Sequence, residues 1–290
     1  MSQFVIMTDS CADLTAELVA ELDVQVLPLS YEMDGQIVYN YPDNREMDPH
    51  AFYDLLRAGK TAVTSAVNVA QFAEAMEAYL QEGKDVLVLA FSSGLSTTYN
   101  SAAIAADDLK EKYPERKIYV VDTLCASMGQ GLLVYLAAKE RAKGKTMEEV
   151  RDWAEETKLH IGHQFTVNDL FHLKRGGRVS ATTAVVGTML AIKPVLHVDD
   201  EGHLINIGKS RGRVASLKAL VDNMEKAVVD PAEQTIFISH GDCWEDAQTV
   251  ADMVKERFGV KEVIMNYVGP VIGAHTGPGV VALFYVAKER

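Results

Sequence analysis

The chain has 290 residues, 48% of them hydrophobic, and its 28 basic and 41 acidic side chains leave a net charge of −13. At this size about three quarters of the unfolded surface can be buried and one core often divides into two, so two compact lobes are expected. The negative balance repels phosphate backbones and anionic lipid surfaces at long range, which argues against nucleic acid as a partner.

No window holds 18 apolar residues, and the start "MSQFVIMTDS" shows neither a basic segment nor a cleavable apolar stretch. No stable membrane insertion and a cytoplasmic location are therefore expected. Cys11, Cys125 and Cys243 have no C-x-x-C spacing. That is the usage of reduced thiols rather than of a disulfide frame or a zinc site, and no metal is expected.

In chain order, "FVIMT", "VQVLPLSY", "DVLVLAF" and "KIYVVD" read as strands. They alternate with helical stripes: Val69, Phe72, Met76 and Leu80; then Tyr99, Ala102, Ala106, Leu109 and Tyr113; then Met128, Leu132 and Leu136. This alternation predicts an α/β lobe with a mainly parallel sheet flanked by helices in three layers. The lobe boundary falls near residues 155 to 165, where "GHQFTVND" begins a new strand, giving lobes 1–158 and 159–290. In the second half "IKPVLHVDDEGHLINIGKS" reads as a hairpin with antiparallel pairing. Two helices follow, with stripes Val214, Leu217, Val221, Met224, Val228 and Trp244, Ala247, Ala251, Val254, Phe258, among the strands "TIFISH", "EVIMNYV" and "VVALFYVA".

The chain contains no G-x-x-x-x-G-K-[ST], G-x-G-x-x-G, S-x-x-K or H-E-x-x-H pattern, which lowers the prior for nucleotide and hydrolase chemistry. His160 and His163 stand three apart without a carboxylate or Cys beside them and read as structural. More informative is "DVLVLAFSSGLSTTYNSA", a buried strand that ends in hydroxyls. Such a run either caps a helix, whose first N–H groups lack partners, or binds a ligand. The segments "LKRGGRVS" and "GAHTGPG" likewise combine donors with glycines that allow close backbone approach. Singly, the three segments read as a cap, a basic turn and a tight turn; together they point to a ligand site.

With "TDSCADL" at 8–14, "VTSAVN" at 63–68, "VVDTLCASMGQG" at 120–131, "AIKPVL" at 191–196 and "KSRGR" at 209–213, these segments make nearly the whole chain resemble the DegV family. The resemblance implies an α/β first lobe, an α+β second lobe and one long-chain fatty acid in a cleft between them. It implies a non-catalytic acyl-carrying subunit that presents the ligand's carboxylate to a separate ATP-dependent fatty acid kinase, with no cofactor. Ser93, Thr64 and His275 match the family's carboxylate-binding positions, Thr276 stands beside them, and Ser65, Ser92 and Gly94 are neighbours. "TSAVN" stands where the family usually has "TSQPS", and "STTYN" where it has "SGTYQ". The acyl tail is expected against Val185, Met189, Leu190, Ile192 and Ile272, and Arg175, Arg178 and Arg211 are expected to dock the kinase.

The chemistry fits such a ligand, because a buried carboxylate needs specific donors and hydroxyl and imidazole groups supply them. A tail of about fifteen methylenes represents roughly 12 kcal/mol of transfer free energy before ordering costs. Two other readings compete with it: an acyl hydrolase with Ser93 as nucleophile and His275 as base, and a regulatory protein that senses lipid.

Overall fold

The computed structural model describes residues 4–168, 170–179 and 191–290. Strand β1 (Phe4–Asp9) runs parallel to β2 (Val24–Leu27), with α1 (Ala16–Glu21) between them. The run "VQVLPLSY" is not one strand: Pro28 has no amide donor for a sheet interior, and the chain leaves the sheet there. It resumes as β3 (Ser30–Met33), which pairs antiparallel with β4 (Gln36–Tyr39) and β5 (Val63–Ser65) in a small second sheet. Helix α2 (Pro49–Arg57) lies between β4 and β5 in sequence, and the Asp48 carboxylate caps it by accepting the Ala51 N–H.

Helix α3 (Val69–Gln81) opens on a capping box of Asn68 and Gln71 and buries Phe72, Met76 and Leu80. Strand β6 (Asp85–Ala90), helix α4 (Thr98–Lys112) and strand β7 (Ile118–Asp122) complete a four-stranded parallel sheet of order β2-β1-β6-β7. Ala102, Ala106 and Leu109 face the core from α4, as their spacing predicts.

After α5 (Met128–Ala142) and α6 (Met147–Thr157) the chain enters a six-stranded sheet. Its strands are β8 (Ile161–Thr166), β9 (Ile192–Val198), β10 (Leu204–Arg211), β11 (Thr235–His240), β12 (Glu262–Tyr267) and β13 (Val281–Val286). The order is β10-β9-β8-β13-β11-β12, antiparallel throughout except for the parallel β11–β12 pair. The predicted hairpin is β9–β10, closed at "DDEG" by the Gly202 N–H donating to the Asp199 carbonyl, with Gly202 at φ +79°. Helices α7 (Phe171–Arg175), α8 (Arg213–Ala227), α9 (Trp244–Phe258) and α10 (Pro270–Thr276) fill out this half. The packed stripe of α8 is Leu217, Leu220, Val221 and Met224, whereas Val214, in the first turn after the edge strand β10, is 75% exposed.

The stripe Met128, Leu132, Leu136 understates α5. Every residue from Met128 to Tyr135 is buried, as are Ala137 and Ala138, and Leu136 is only partly so. The reason is position: α5 packs against β1 and β6 of the parallel sheet and also against β8, β11 and β13 of the second sheet. A helix enclosed on all sides is buried all round, and the one polar amide in this stretch, Gln130, donates to Thr8 Oγ1 at 2.9 Å and to Asp9 at 3.1 Å. One core therefore joins the two halves, with Leu89, Leu133, Phe165, Phe237 and Phe284 in a single cluster. Helix α10 also returns to the first half, where Val271 and Ala274 share a cluster with Phe52 and Tyr53, and the Tyr53 hydroxyl donates to the Val268 carbonyl at 2.7 Å. Among the described residues no helix is long and apolar enough to cross a membrane.

Candidate functional site

Between the parallel sheet and the six-stranded sheet lies a cavity of about 420 Å³. Its walls are mostly apolar and include Leu29, Phe91, Leu95, Phe165, Val198, Val271, Ile272 and Phe284. Polar side chains gather where β5, the β6–α4 loop, α10 and the turn after α7 meet: Thr64, Ser65, Ser93, Ser96, Asn100, Arg178, His275 and Thr276. Such a volume with few convergent polar groups is typical of a small-molecule site.

The hydroxyl-rich loop does two jobs. Ser92 is buried, and its hydroxyl donates to the Gly202 carbonyl at 2.9 Å, tying the loop to the β9–β10 hairpin tip. A Cβ on Gly94 would sit 2.8 Å from the Glu201 carbonyl oxygen, so this position admits only glycine without a shift. Ser96 accepts the Thr98 N–H at 3.2 Å and supports the start of α4. Neither Ser92 nor Gly94 lines the cavity. Ser93 does: its N–H donates to Asp122 at 3.1 Å, and its exposed side chain stands at the cavity wall.

Also on the cavity wall, Thr64 Oγ1 and His275 Nε2 share a hydrogen bond of 2.8 Å. Burial, reinforced by Arg178 and Arg175, pushes the His275 imidazole down to about 4, so it is neutral at pH 7. Its Nδ1 is buried without a partner among the described residues. A Cβ on Gly176 would lie 2.1 Å from that atom, which explains the first glycine of "RGGR". The Thr276 hydroxyl donates back to the Ile272 carbonyl at 3.3 Å, so its proton is already committed to α10.

The family model described as "Uncharacterised protein, DegV family" matches residues 3–288. The chain belongs to the DegV family. A DegV domain-containing protein of Clostridium perfringens is 50% identical over 292 residues, covering 100% of this chain and 99% of its own. A DegV family protein from Thermus thermophilus, whose structure is described as fatty acid binding, is 30% identical with a TM-score of 0.87, over 99% of this chain and 100% of that one. A DegV lipid-binding protein from Thermotoga maritima is 29% identical with a TM-score of 0.87 over the whole of both chains.

The other positions singled out in this DegV chain separate clearly. Arg178, expected on an outer docking face, is half-buried and lines the cavity, its guanidinium donating to the Leu95 carbonyl at 3.3 Å and to the Gly176 carbonyl. Arg175 and Arg211 are exposed and outside the cavity; Arg175 lies 3.0 Å from His172 Nδ1 and over the Phe171 ring. Ile272 lines the cavity, whereas Ile192 is half-buried at the start of β9 and does not. Val185, Met189 and Leu190 lie outside the described residues.

Sequence reading passed over Ser127 and Phe165, both on the cavity wall, because each looks like ordinary loop or strand composition. His163 also lines it, with Nδ1 2.8 Å from the Ile161 carbonyl and Nε2 accepting the Ala126 N–H at 3.3 Å. Residues 208–212 read "GKSRG", a match to G-x-S-x-G. Ser210, however, lies inside antiparallel strand β10, paired with Lys193, and not at the strand-to-helix turn that exposes such a nucleophile. Among the described residues, His50, Asp54 and Asp242 form a cluster with metal-ligand types, but Arg57 donates to both Asp54 and Asp242 and supplies its cation.

Proposed function

We propose that this chain binds one long-chain fatty acid in the cavity between its two halves, with the tail along the apolar walls and the carboxylate at Ser93, Thr64, His275 and Arg178. The observation that carries the reading is the cavity itself: its walls are mostly apolar, and a neutral imidazole, hydroxyls and a half-buried guanidinium line it together. The Arg178 guanidinium bonds to backbone carbonyls, which carry no charge. A ligand carboxylate would supply the counter-charge that makes a partly buried cation inexpensive. The Thermus and Thermotoga relatives bind fatty acid or lipid, which supports the same ligand here.

The finer reading is that the protein acts in the cytoplasm as a carrier. It offers the carboxylate to a separate ATP-dependent kinase that forms an acyl phosphate for phospholipid synthesis, docking through exposed Arg175 and Arg211. Ser93 at the exposed edge of the cavity supports this, since a head group there is within reach of a partner. The hydrolase reading fares worse because His275 Nε2, the atom a serine nucleophile would need, is bonded to Thr64. Displacement of a fluorescent fatty acid by palmitate and oleate tests the ligand, and one equivalent of displacing acid is expected. Hydroxylamine trapping of acyl phosphate, with the kinase captured from the native cell, tests the carrier role. Failure to displace overturns the first, and absence of ATP-dependent hydroxamate overturns the second.

A further inference from the structure

The motif "TDSCADL" at 8–14 does not line the cavity, and the binding reading gives it no task. Its two aspartates are buried, Asp9 fully and Asp13 with 6% exposed. Asp9 ends β1; its Oδ2 accepts the Phe91 N–H at 2.8 Å and its Oδ1 the Cys11 N–H at 3.0 Å. Four residues on, Asp13 Oδ1 accepts the Gly269 N–H at 3.0 Å, and Oδ2 accepts the Ser127 hydroxyl proton at 2.5 Å. The Asp13 carbonyl also accepts the Asn266 side-chain amide at 2.8 Å. Between the two acids Ser10–Ala12 form a single 3-10 turn, and the Ser10 hydroxyl accepts the Leu29 N–H at 2.9 Å.

These backbone contacts fall beside the groups that the ligand's carboxylate would meet. Phe91 lines the cavity and stands two residues before Ser93 in the same loop. Gly269 immediately precedes α10, the helix that brings Val271, Ile272, His275 and Thr276 to the cavity wall. The short segment 9–13 is therefore bonded to both elements, one in each half, that carry Ser93 and His275. Holding acids there is costly, because the donors they meet are neutral and burial raises Asp9 to about 6 and Asp13 to about 7. A carboxylate nevertheless does what an amide cannot at Asp9, where each of its two oxygens takes a backbone N–H.

We propose that Asp9 and Asp13 are positioning residues of the carboxylate end of the site: acting through the Phe91 and Gly269 N–H groups, they hold the Ser93 loop and the start of α10 so that Ser93 and His275 meet the head group together. The inference rests on the fatty-acid reading above and adds to it the residues that set its selectivity for an acid.

The test is a set of dissociation constants at pH 8, above the folded values of both acids, for palmitate and for 1-hexadecanol, which has the same tail and no carboxylate. Each is measured on the wild type, Asp9→Asn, Asp13→Ala and Asp13→Asn. Asp9→Asn sets an NH2 against a backbone N–H, and Asp13→Ala releases Gly269; each should weaken palmitate about tenfold and hexadecanol by less than about threefold. Asp13→Asn should restore what Asp13→Ala loses. Its amide oxygen can take the Gly269 N–H and its NH2 can donate to Ser127, whose own proton turns to Ser239, 2.8 Å away. Equal weakening of both ligands, or an Asp13→Asn variant as weak as Asp13→Ala, would overturn the assignment. By linkage, palmitate on the wild type should slow amide exchange at Phe91 and Gly269 about tenfold more than hexadecanol does, a readout that needs no variant to fold. Equal protection by the two ligands would likewise overturn it. Failure of palmitate to bind the wild type would overturn the fatty-acid reading, and the positioning role with it.

Discussion

Thr64 on β5 and His275 on α10 are 211 residues apart in the chain and joined by a 2.8 Å hydrogen bond at the cavity wall. The bond holds an imidazole that is otherwise fixed only by packing. Thr64→Val keeps the shape and removes the hydroxyl, and His275→Ala removes the ring. Each should weaken fatty-acid binding about tenfold, an amount equal to one hydrogen bond of about 1.4 kcal/mol. The double variant should lose much less than the product, because the residues act as a pair. Multiplicative losses in a titration of all four proteins would show that they act separately.

His275 should stay neutral well into the acid range. Its folded value of about 4 lies below the ordinary 6.5, so its neutral state contributes stability that is complete above about pH 6.5 and is lost as pH falls toward 4. Imidazole nitrogen shifts followed by NMR should show one histidine titrating near 4, absent in His275→Ala. A His275 signal that titrates above 6 would contradict the buried geometry.

Asp13 works in the opposite direction. Burial raises its carboxyl from 3.8 to about 7, despite the bonds from Ser127 and Gly269. The folded state therefore holds its proton more tightly than the unfolded chain, and this contribution is full below pH 3.8 and lost as pH rises through about 7. Asp13→Asn carries a constant penalty for its altered hydrogen bonds but lacks this slope. Denaturant melts from pH 4 to pH 8 should show the variant improving relative to wild type by on the order of a few kcal/mol. A constant gap across that range would mean that Asp13 titrates near its ordinary value.

Two glycines are set by what touches them. Gly94→Ala places a methyl 2.8 Å from the Glu201 carbonyl and should cost about 1–3 kcal/mol by displacing the hairpin tip. Gly176→Ala places one 2.1 Å from His275 Nδ1 and should reduce fatty-acid affinity more than it reduces stability. Thermal melts and binding titrations on both variants separate these effects. Equal loss of stability with intact binding in Gly176→Ala would remove the turn after α7 from the site.

Periodicity makes much of this fold legible. The β1, β6 and β7 runs, the α3 and α4 stripes and the "DDEG" hairpin all follow from local spacing. The small sheet does not, because β5 is three residues long and β4 is largely exposed, so neither carries a buried pattern. The role of α5 is equally hidden, since a helix buried on all sides and one buried on a single side share the same i, i+3, i+4 signal until the neighbours are known. At the site, hydroxyl-bearing motifs mark the right segments, yet composition cannot tell Ser92, bonded to the hairpin, from Ser93, which faces the cavity. Nor can it show that Arg178 turns inward while Arg175 stays outside.

Occupancy of the cavity by a fatty acid is read out by denaturing mass spectrometry of organic extracts from freshly purified protein. Close to one equivalent of long-chain acid per chain is expected. An empty extract from a folded protein that also takes up neither oleate nor palmitate would contradict it.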